Sequence, residues 1–355
     1  MKVSEICKYA PKSNIKAGDA CDGGEYMFFT SSADESKRYN DYQNEGEGII
    51  MGTGGNATLH YYDGKYAVST DCVVLLPDEQ IRCKYLYYFF LGNMRVLEEG
   101  FKGAGLKHTN KGYIGGIDIG DIPSFDKQDK IIEIFDTLRR IIDLRTNEIE
   151  KLDELIKARF VEMFGSIHDG KFEMKTLPEI VSSDRNSIKR GPFGGALKKD
   201  DFAEEGYLVY EQRHAIHNDF EYAKYYITQE KYEDMIGFKV VPGDLIISCS
   251  GVTLGRIAEV PNGAKEGIIN QALLKLSLNQ ELMMNTFFIQ QFRGEEIQEI
   301  LFGFSRGSGI PNMPSMSEVK AVKFVCPPLE LQKQYCDFVH QVDKSKVQLL
   351  FLLLI

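Results

Sequence analysis

The chain says nearly the same thing twice, about two hundred residues apart, and this duplication restricts its possible folds more than any other feature. Phe101-Lys102-Gly103-Ala104-Gly105-Leu106 is answered by Arg306-Gly307-Ser308-Gly309-Ile310. Continuing at a constant offset of 204, Pro123 pairs with Pro327, Gln128 with Gln332, Ile131 with Tyr335, Phe135 with Val339 and Leu138 with Val342. Upstream, Gly48-Ile49-Ile50-Met51-Gly52-Thr53-Gly54-Gly55 matches Asp244-Leu245-Ile246-Ile247-Ser248-Cys249-Ser250-Gly251 after small insertions. Lys175-Thr176-Leu177-Pro178-Glu179-Ile180 likewise echoes Lys2-Val3-Ser4-Glu5-Ile6. Solenoid repeats recur every 20–50 residues, so a period this long is a duplicated domain instead. Two domains also suit a chain of 355 residues, which is too long for one ordinary core.

Residues 1–125 read as mixed α/β with short strands at 48–51 and 66–76 and near 115–122, the last closed by Pro123. Apolar spacing predicts a helix over 83–94. From Lys127 to Phe164 there is neither Pro nor Gly, and Gly165 ends the run as a C-terminal glycine should. Within it Ile131, Phe135, Leu138, Ile142, Ile149, Leu152, Ile156 and Met163 alternate steps of three and four, with gaps at Arg145 and Arg159. This predicts one helix of about 38 residues, hence about 57 Å long. Its heptad seam requires a partner helix. Residues 166–329 repeat the first plan with a different sequence. After Pro327-Pro328 a second helix opens, with Leu331, Tyr335, Phe338 and Val342 in the same phase. Beyond Lys346 the polar faces stop and Val347 to Ile355 is almost wholly apolar. That tail reads as a truncated or frame-altered helix; a functional hydrophobic peptide is the alternative.

Hydrophobic residues at 43% and charged residues at 26% place the chain among soluble globular proteins. No run reaches the length of a membrane span. Met1-Lys2-Val3-Ser4-Glu5 does not open a signal peptide. Seven cysteines without a C-x-x-C pair suit a reducing compartment, with the cytoplasm as default. The net charge of −10 counts against indiscriminate nucleic-acid binding. Its distribution matters more. Residues 1–125 hold 13 bases against 17 acids and residues 166–329 hold 18 against 22, so each half comes to −4. Yet the repeated segments 48–62, 100–117, 245–258 and 300–317 contain no carboxylate at all. A surface that approaches phosphates must exclude carboxylates, which would repel the backbone at close range. Charge-poor glycine loops with no such task are the plain alternative.

A search for chemistry finds no phosphate-binding P-loop, no H-E-x-x-H metal motif around His214 and His217, and no nucleophile elbow. Recognition elements are more prominent. Lys189, Arg190, Lys198 and Lys199 frame the glycines and aromatic of Gly191-Pro192-Phe193-Gly194-Gly195, with Gln212 and Arg213 just beyond. Cations of this kind neutralise phosphates, while Arg and Gln also match base edges. Lys107, His108, Lys111 and Arg306 occupy the repeated loops. These ten residues are the candidate DNA contacts. For Lys198 and Lys199 a solvated helix start is the competing reading.

The arrangement resembles the DNA-specificity (S) subunit of type I restriction–modification systems across nearly the whole chain. The resemblance rests most on Arg190-Gly191-Pro192-Phe193-Gly194-Gly195-Ala196-Leu197, Gly243-Asp244 leading into Leu245 to Gly251, Gly255-Arg256-Ile257-Ala258 and Pro327-Pro328-Leu329-Glu330-Leu331-Gln332. It implies an α/β (α+β) fold with two target recognition domains, residues 1–125 and 166–329. A long central helix at 126–165 would follow the first, and a shortened distal helix with an apolar tail at 330–355 the second. The helices would pair antiparallel as a ruler, along the seam Ile131, Phe135, Leu138, Ile142, Ile149, Leu152, Ile156 against Leu331, Tyr335, Phe338, Val342. Each domain would read half of a split duplex DNA target. The subunit would hold no active site, metal or cofactor of its own, and would dock methyltransferase and restriction subunits without touching a membrane. The short distal helix departs from the family pattern. It leaves open a silent or donor copy, and beside that a protein-interaction adaptor that does not bind DNA.

Overall fold

The structure, a computed structural model, describes residues 1–166, 169–303 and 311–354. Two compact units divide the chain, Met1–Leu144 and Arg145–Ile355. Each contains the same short helical turn ahead of the strands of its main sheets, Val3–Ile6 in the first and Leu177–Ile180 in the second. Glu5 accepts from the Lys2 amide at 2.8 Å and Glu179 from the Thr176 amide at 2.7 Å, so one carboxylate closes the orphan donors of each turn.

The first unit holds one six-stranded sheet in the spatial order Cys7–Tyr9, Cys72–Pro77, Asn44–Gly52, Leu59–Val68, Tyr26–Phe29, Arg38–Tyr39. All neighbours are antiparallel except Tyr26–Phe29, which runs parallel to Leu59–Val68. The run Ile49-Ile50-Met51 is apolar throughout because both faces of the sheet are covered. Ile49 and Met51 pack with Leu75 and with Leu86 and Phe90 of helix Cys83–Gly92, while Ile50 packs with Phe29, Tyr66 and Val74. The strand expected over 66–76 is in fact two, reversed at Ser69-Thr70-Asp71. The strand expected near 115–122 is instead helix Lys111–Gly116 with an extended tail. Asn110 starts that helix by accepting from the Tyr113 amide at 3.0 Å.

In the second unit the plan is the same but divided between two sheets. One is ordered Ile188–Arg190, Leu273–Leu276, Leu245–Ser248, Ile257–Glu259, and the other Lys239–Val240, Gly267–Ile269, Tyr207–Tyr210, Tyr226–Ile227, Phe202–Ala203. Tyr207–Tyr210 again supplies the parallel pairing. Helix Asn285–Arg293 covers the first of these sheets as Cys83–Gly92 covers its counterpart.

The central helix is continuous from Phe125 to Phe164, 40 residues, about 60 Å at 1.5 Å per residue. Its end enters the core of the second unit, where Ile156 and Phe164 are buried with Tyr335, Val339 and Val342 of the distal helix Leu329–Leu354. The Tyr335 hydroxyl donates to the Ile156 carbonyl at 3.2 Å, and Lys346 meets Asp153 at 2.5 Å. Contacts that climb one helix as they descend the other make the pair antiparallel. Leu152, Leu331 and Phe338 flank this packing half-buried. Higher on the central helix Phe135, Leu138 and Ile142 are 41–50% exposed, with Ile131 and Ile149 half-buried, and the Phe135 ring stacks on Tyr88 with centres 4.9 Å apart. No described helix is long and apolar enough to cross a membrane.

Candidate nucleic-acid interface

In each unit several strands end at one rim, and there the two duplicated loops are stitched together. In the first unit the Gly55 amide donates to the Lys107 carbonyl at 2.9 Å and the Thr109 amide to the Thr53 carbonyl at 3.0 Å. In the second, Gly251 donates to Pro311 and Met313 to Cys249, both at 2.8 Å. The bridges Gly54 to His108 and Ser250 to Asn312 complete the match. In every pair the partner from the 53–55 loop shifts by 196 residues and the partner from the 107–109 loop by 204, the offsets already present in the sequence. The repeat therefore encodes a loop latch built twice from backbone groups.

The side chains upon the latch differ. In the first unit Ser31 follows strand Tyr26–Phe29, and its Oγ accepts from the Thr53 and Gly54 amides at 3.1 and 3.3 Å while donating to the Asp71 carbonyl at 2.6 Å. Gln212 follows strand Tyr207–Tyr210 in the same way, and its amide donates to Ser250 Oγ at 2.8 Å. Ser31 and Gln212 therefore occupy equivalent places. Ser31 was not among the sequence candidates. The two flanking strands share almost no residues, so only the common offset of 181 marks it, and that offset becomes visible once the parallel pairing is known.

The structure separates the other candidates. Lys107 and His108 lie on an exposed hairpin closed by a two-way bond between Lys102 and His108, both 3.0 Å. Lys111 stands beside it, its ammonium 4.8 Å from the Tyr9 ring centre. These three residues share one loop cluster. Lys189 and Arg190 are consecutive in strand Ile188–Arg190 and so face opposite sides of the sheet. Lys189 lies over the Phe238 ring at 4.6 Å. Arg190 lies over Phe193 at 5.6 Å, and its Nε is buried without a hydrogen-bond partner. Burial pushes the Cys249 thiol up to about 12, with the Arg190 charge pulling the other way. Arg213 is engaged elsewhere, 3.6 Å from Asp219 and over Tyr222 at 4.5 Å. Lys198 and Lys199 are exposed at a single 3-10 turn beside Asp200 and Asp201. The Lys198 amide, then burial opposing it, then Lys231 act on Asp201, and its carboxyl is held below the usual range. This pair therefore sits next to carboxylates, unlike the latch loops. Arg306 lies outside the described residues.

Residues 1–154 and 172–350 each match the sequence profile described as the type I restriction modification DNA specificity domain. The chain belongs to that family. The two matched segments correspond to the two copies of the latch, so the family's repeated domain and the internal duplication coincide. Among curated proteins, the specificity subunit of the type I restriction enzyme EcoDI from Escherichia coli is 24% identical over 196 residues, 54% of this chain and 43% of that protein. The match thus spans less than half the length of that relative. A crystal structure of a type I restriction–modification S subunit from M. genitalium superposes with a TM-score of 0.60 at 16% identity, covering 99% of this chain and 91% of the other. A chain from a structure concerned with complex assembly and conformational transition of the type I R-M system gives 0.51 at 14% identity, covering 99% and 94%. At these identities the superpositions establish the fold of the family member and nothing finer.

Proposed function

We propose that this chain is a DNA-recognition subunit whose two domains, residues 1–125 and 166–329, each read one half of a split duplex target. The observation that carries this reading is the twice-built latch, whose backbone frame is constant while its outward side chains differ. Such a frame suits two sites that bind one kind of polymer but distinguish different sequences. Lys102, Lys107 and Lys111 in the first unit, and Lys198, Lys199 and Arg306 in the second, supply cations for phosphates, and His108 a ring N–H donor beside them. Arg190, Gln212 and, more weakly placed, Lys189 and Arg213 supply groups for base edges. The net charge of −10 does not oppose this, since the latch segments carry no carboxylate. The helices at 126–165 and 330–355 space the half-sites and dock methyltransferase and restriction subunits in the cytoplasm. Chemistry is left to those partners, so recognition itself requires no cofactor.

The test is co-purification with the methyltransferase subunit, followed by selection from random duplex DNA at several salt concentrations. Enrichment of two half-sites at a fixed gap, weakening steeply as salt rises, is the expected result. A salt-insensitive protein complex with no enriched DNA would replace this reading with a protein adaptor.

A further inference from the structure

Gln128 and Gln332 are paired by the repeat, lie in the first turn of the two long helices, and are 1% and 0% exposed. Gln128 Oε1 accepts from the Arg82 amide at 2.7 Å, and its Nε2 donates to the Pro123 carbonyl at 2.8 Å. Gln332 Oε1 accepts from the Met284 amide at 2.9 Å, and its Nε2 donates to the Pro327 carbonyl at 2.8 Å and to Leu282 at 2.8 Å. Arg82 and Met284 hold the same place: each is the residue immediately before the sheet-covering helix of its unit. A side-chain amide is both donor and acceptor, so one glutamine ties the long helix, the proline that precedes it and the start of the sheet-covering helix into one joint. Phosphate binding and base reading do not explain why a buried amide should be repeated here.

We infer that Gln128 and Gln332 are positioning residues that fix the direction in which each long helix leaves its own domain, and thereby hold the accepted gap between half-sites to one length. This rests on the DNA-recognition reading above. The leverage is large. On a helix about 60 Å long, a tilt of about 3° at the start swings the far end sideways by about 3 Å while its reach along the axis hardly changes, so the joint governs which side of the duplex the far domain meets. One added base pair also turns the next half-site by about 35° around the duplex. A joint loosened by a few degrees would therefore admit neighbouring gap lengths while leaving each half-site's own contacts intact.

The experiment uses the full chain with its methyltransferase partner and duplex pools in which the gap varies. Wild type should enrich one gap. Gln128→Leu should enrich the same half-sites with gaps one base pair shorter and longer rising to comparable shares, and Gln332→Leu should act in the same direction. Ile50→Val, a core change in the first unit, controls for general loss of stability and should keep the single gap. A folded Gln128→Leu protein that keeps one unchanged gap overturns the inference. If that variant does not fold, Gln128→Glu, which retains the acceptor for Arg82 but not the donor to Pro123, decides by the same readout. Enrichment of nothing by wild type would instead sink the DNA-recognition reading. The joint is then judged directly, by spin labels at Ser36→Cys and Arg140→Cys on a Cys21→Ser, Cys326→Ser background. A label distance distribution broadened by Gln128→Leu supports the joint, and an unchanged one overturns it.

Discussion

The two units solve one geometrical problem in opposite ways. In the first, strands Asn44–Gly52 and Leu59–Val68 run unbroken through a bend where Gly46 lies opposite Gly64. Their φ values of +92° and +147° belong to a region that side chains avoid, so glycine lets both strands turn without separating. In the second, Pro242-Gly243 and Pro261 fall at the same level, and both strands are cut. Proline cannot donate to a ladder, so a single sheet becomes two. The cut exposes an interior that must be satisfied. Asp244, 2% exposed, fills it by accepting from Ser277 at 2.5 Å and the Val241 amide at 2.9 Å, with Lys275 at 3.6 Å. Where the first unit relies on backbone freedom, the second relies on a buried ion pair. Strand order is common to both solutions, and the local sequence is not.

This difference is most open to disruption at Asp244. Asp244→Ala leaves the Lys275 ammonium buried and unpaired, and breaking such a pair costs roughly 3–5 kcal/mol. Denaturation followed by hydrogen exchange should show the loss confined to the second unit. An equal loss in the first unit would mean that the two do not unfold separately.

The outward side chains differ in the same manner as the frames. Gln212 can offer a donor and an acceptor to a base edge, whereas Ser31 spends its hydroxyl on the latch itself. Gln212→Ala should therefore relax preference at one position of one half-site, a change of about 1–3 kcal/mol in discrimination. Ser31→Ala should weaken the latch instead, by about 1 kcal/mol of stability, without shifting preference. Reversed outcomes in selection and melting experiments would show that the two positions are equivalent in place but not in these roles.

How much of this was legible beforehand follows the same division. The duplication, the long helix and its partner were readable because glycine, proline and heptad apolar residues at fixed spacing leave direct marks in sequence. So was the pairing of Gln128 with Gln332, though not what it holds. The split sheet was missed because Pro242 and Pro261 have no counterparts in the first unit, and their effect depends on two distant strands lying side by side. The opposed directions of Lys189 and Arg190 were hidden for a simpler reason: the strand they share was not expected, and neighbours on a strand face opposite ways. Ser31 left no mark because the latch uses its hydroxyl against backbone groups, which any sequence supplies.

The glycine bend provides the next comparison. A Cβ at Gly46 would meet nothing within 4 Å, so Gly46→Ala tests backbone conformation without a steric clash. Holding alanine at a positive φ costs about 1–2 kcal/mol. Thermal melting should show that loss in the first unit. A neutral result would mean that the strand can flatten there, and that the bend is not needed for the parallel strand to join.

The smallest effect concerns the exposed hairpin. Lys107 has its backbone carbonyl committed to the latch through Gly55, while its side chain is exposed. Neutralising one phosphate contact changes the slope of log affinity against log salt by about 0.9, or about fivefold in affinity near physiological salt. Lys107→Ala should reduce binding by about that factor for every target alike, and Lys111→Ala should add to it less, since Lys111 is partly held over Tyr9. A changed preferred sequence with an unchanged salt slope would move Lys107 from the phosphate to the bases. The basic hairpin of the first unit would then read sequence as Gln212 does in the second, and the two recognition faces would be more alike than their side chains suggest.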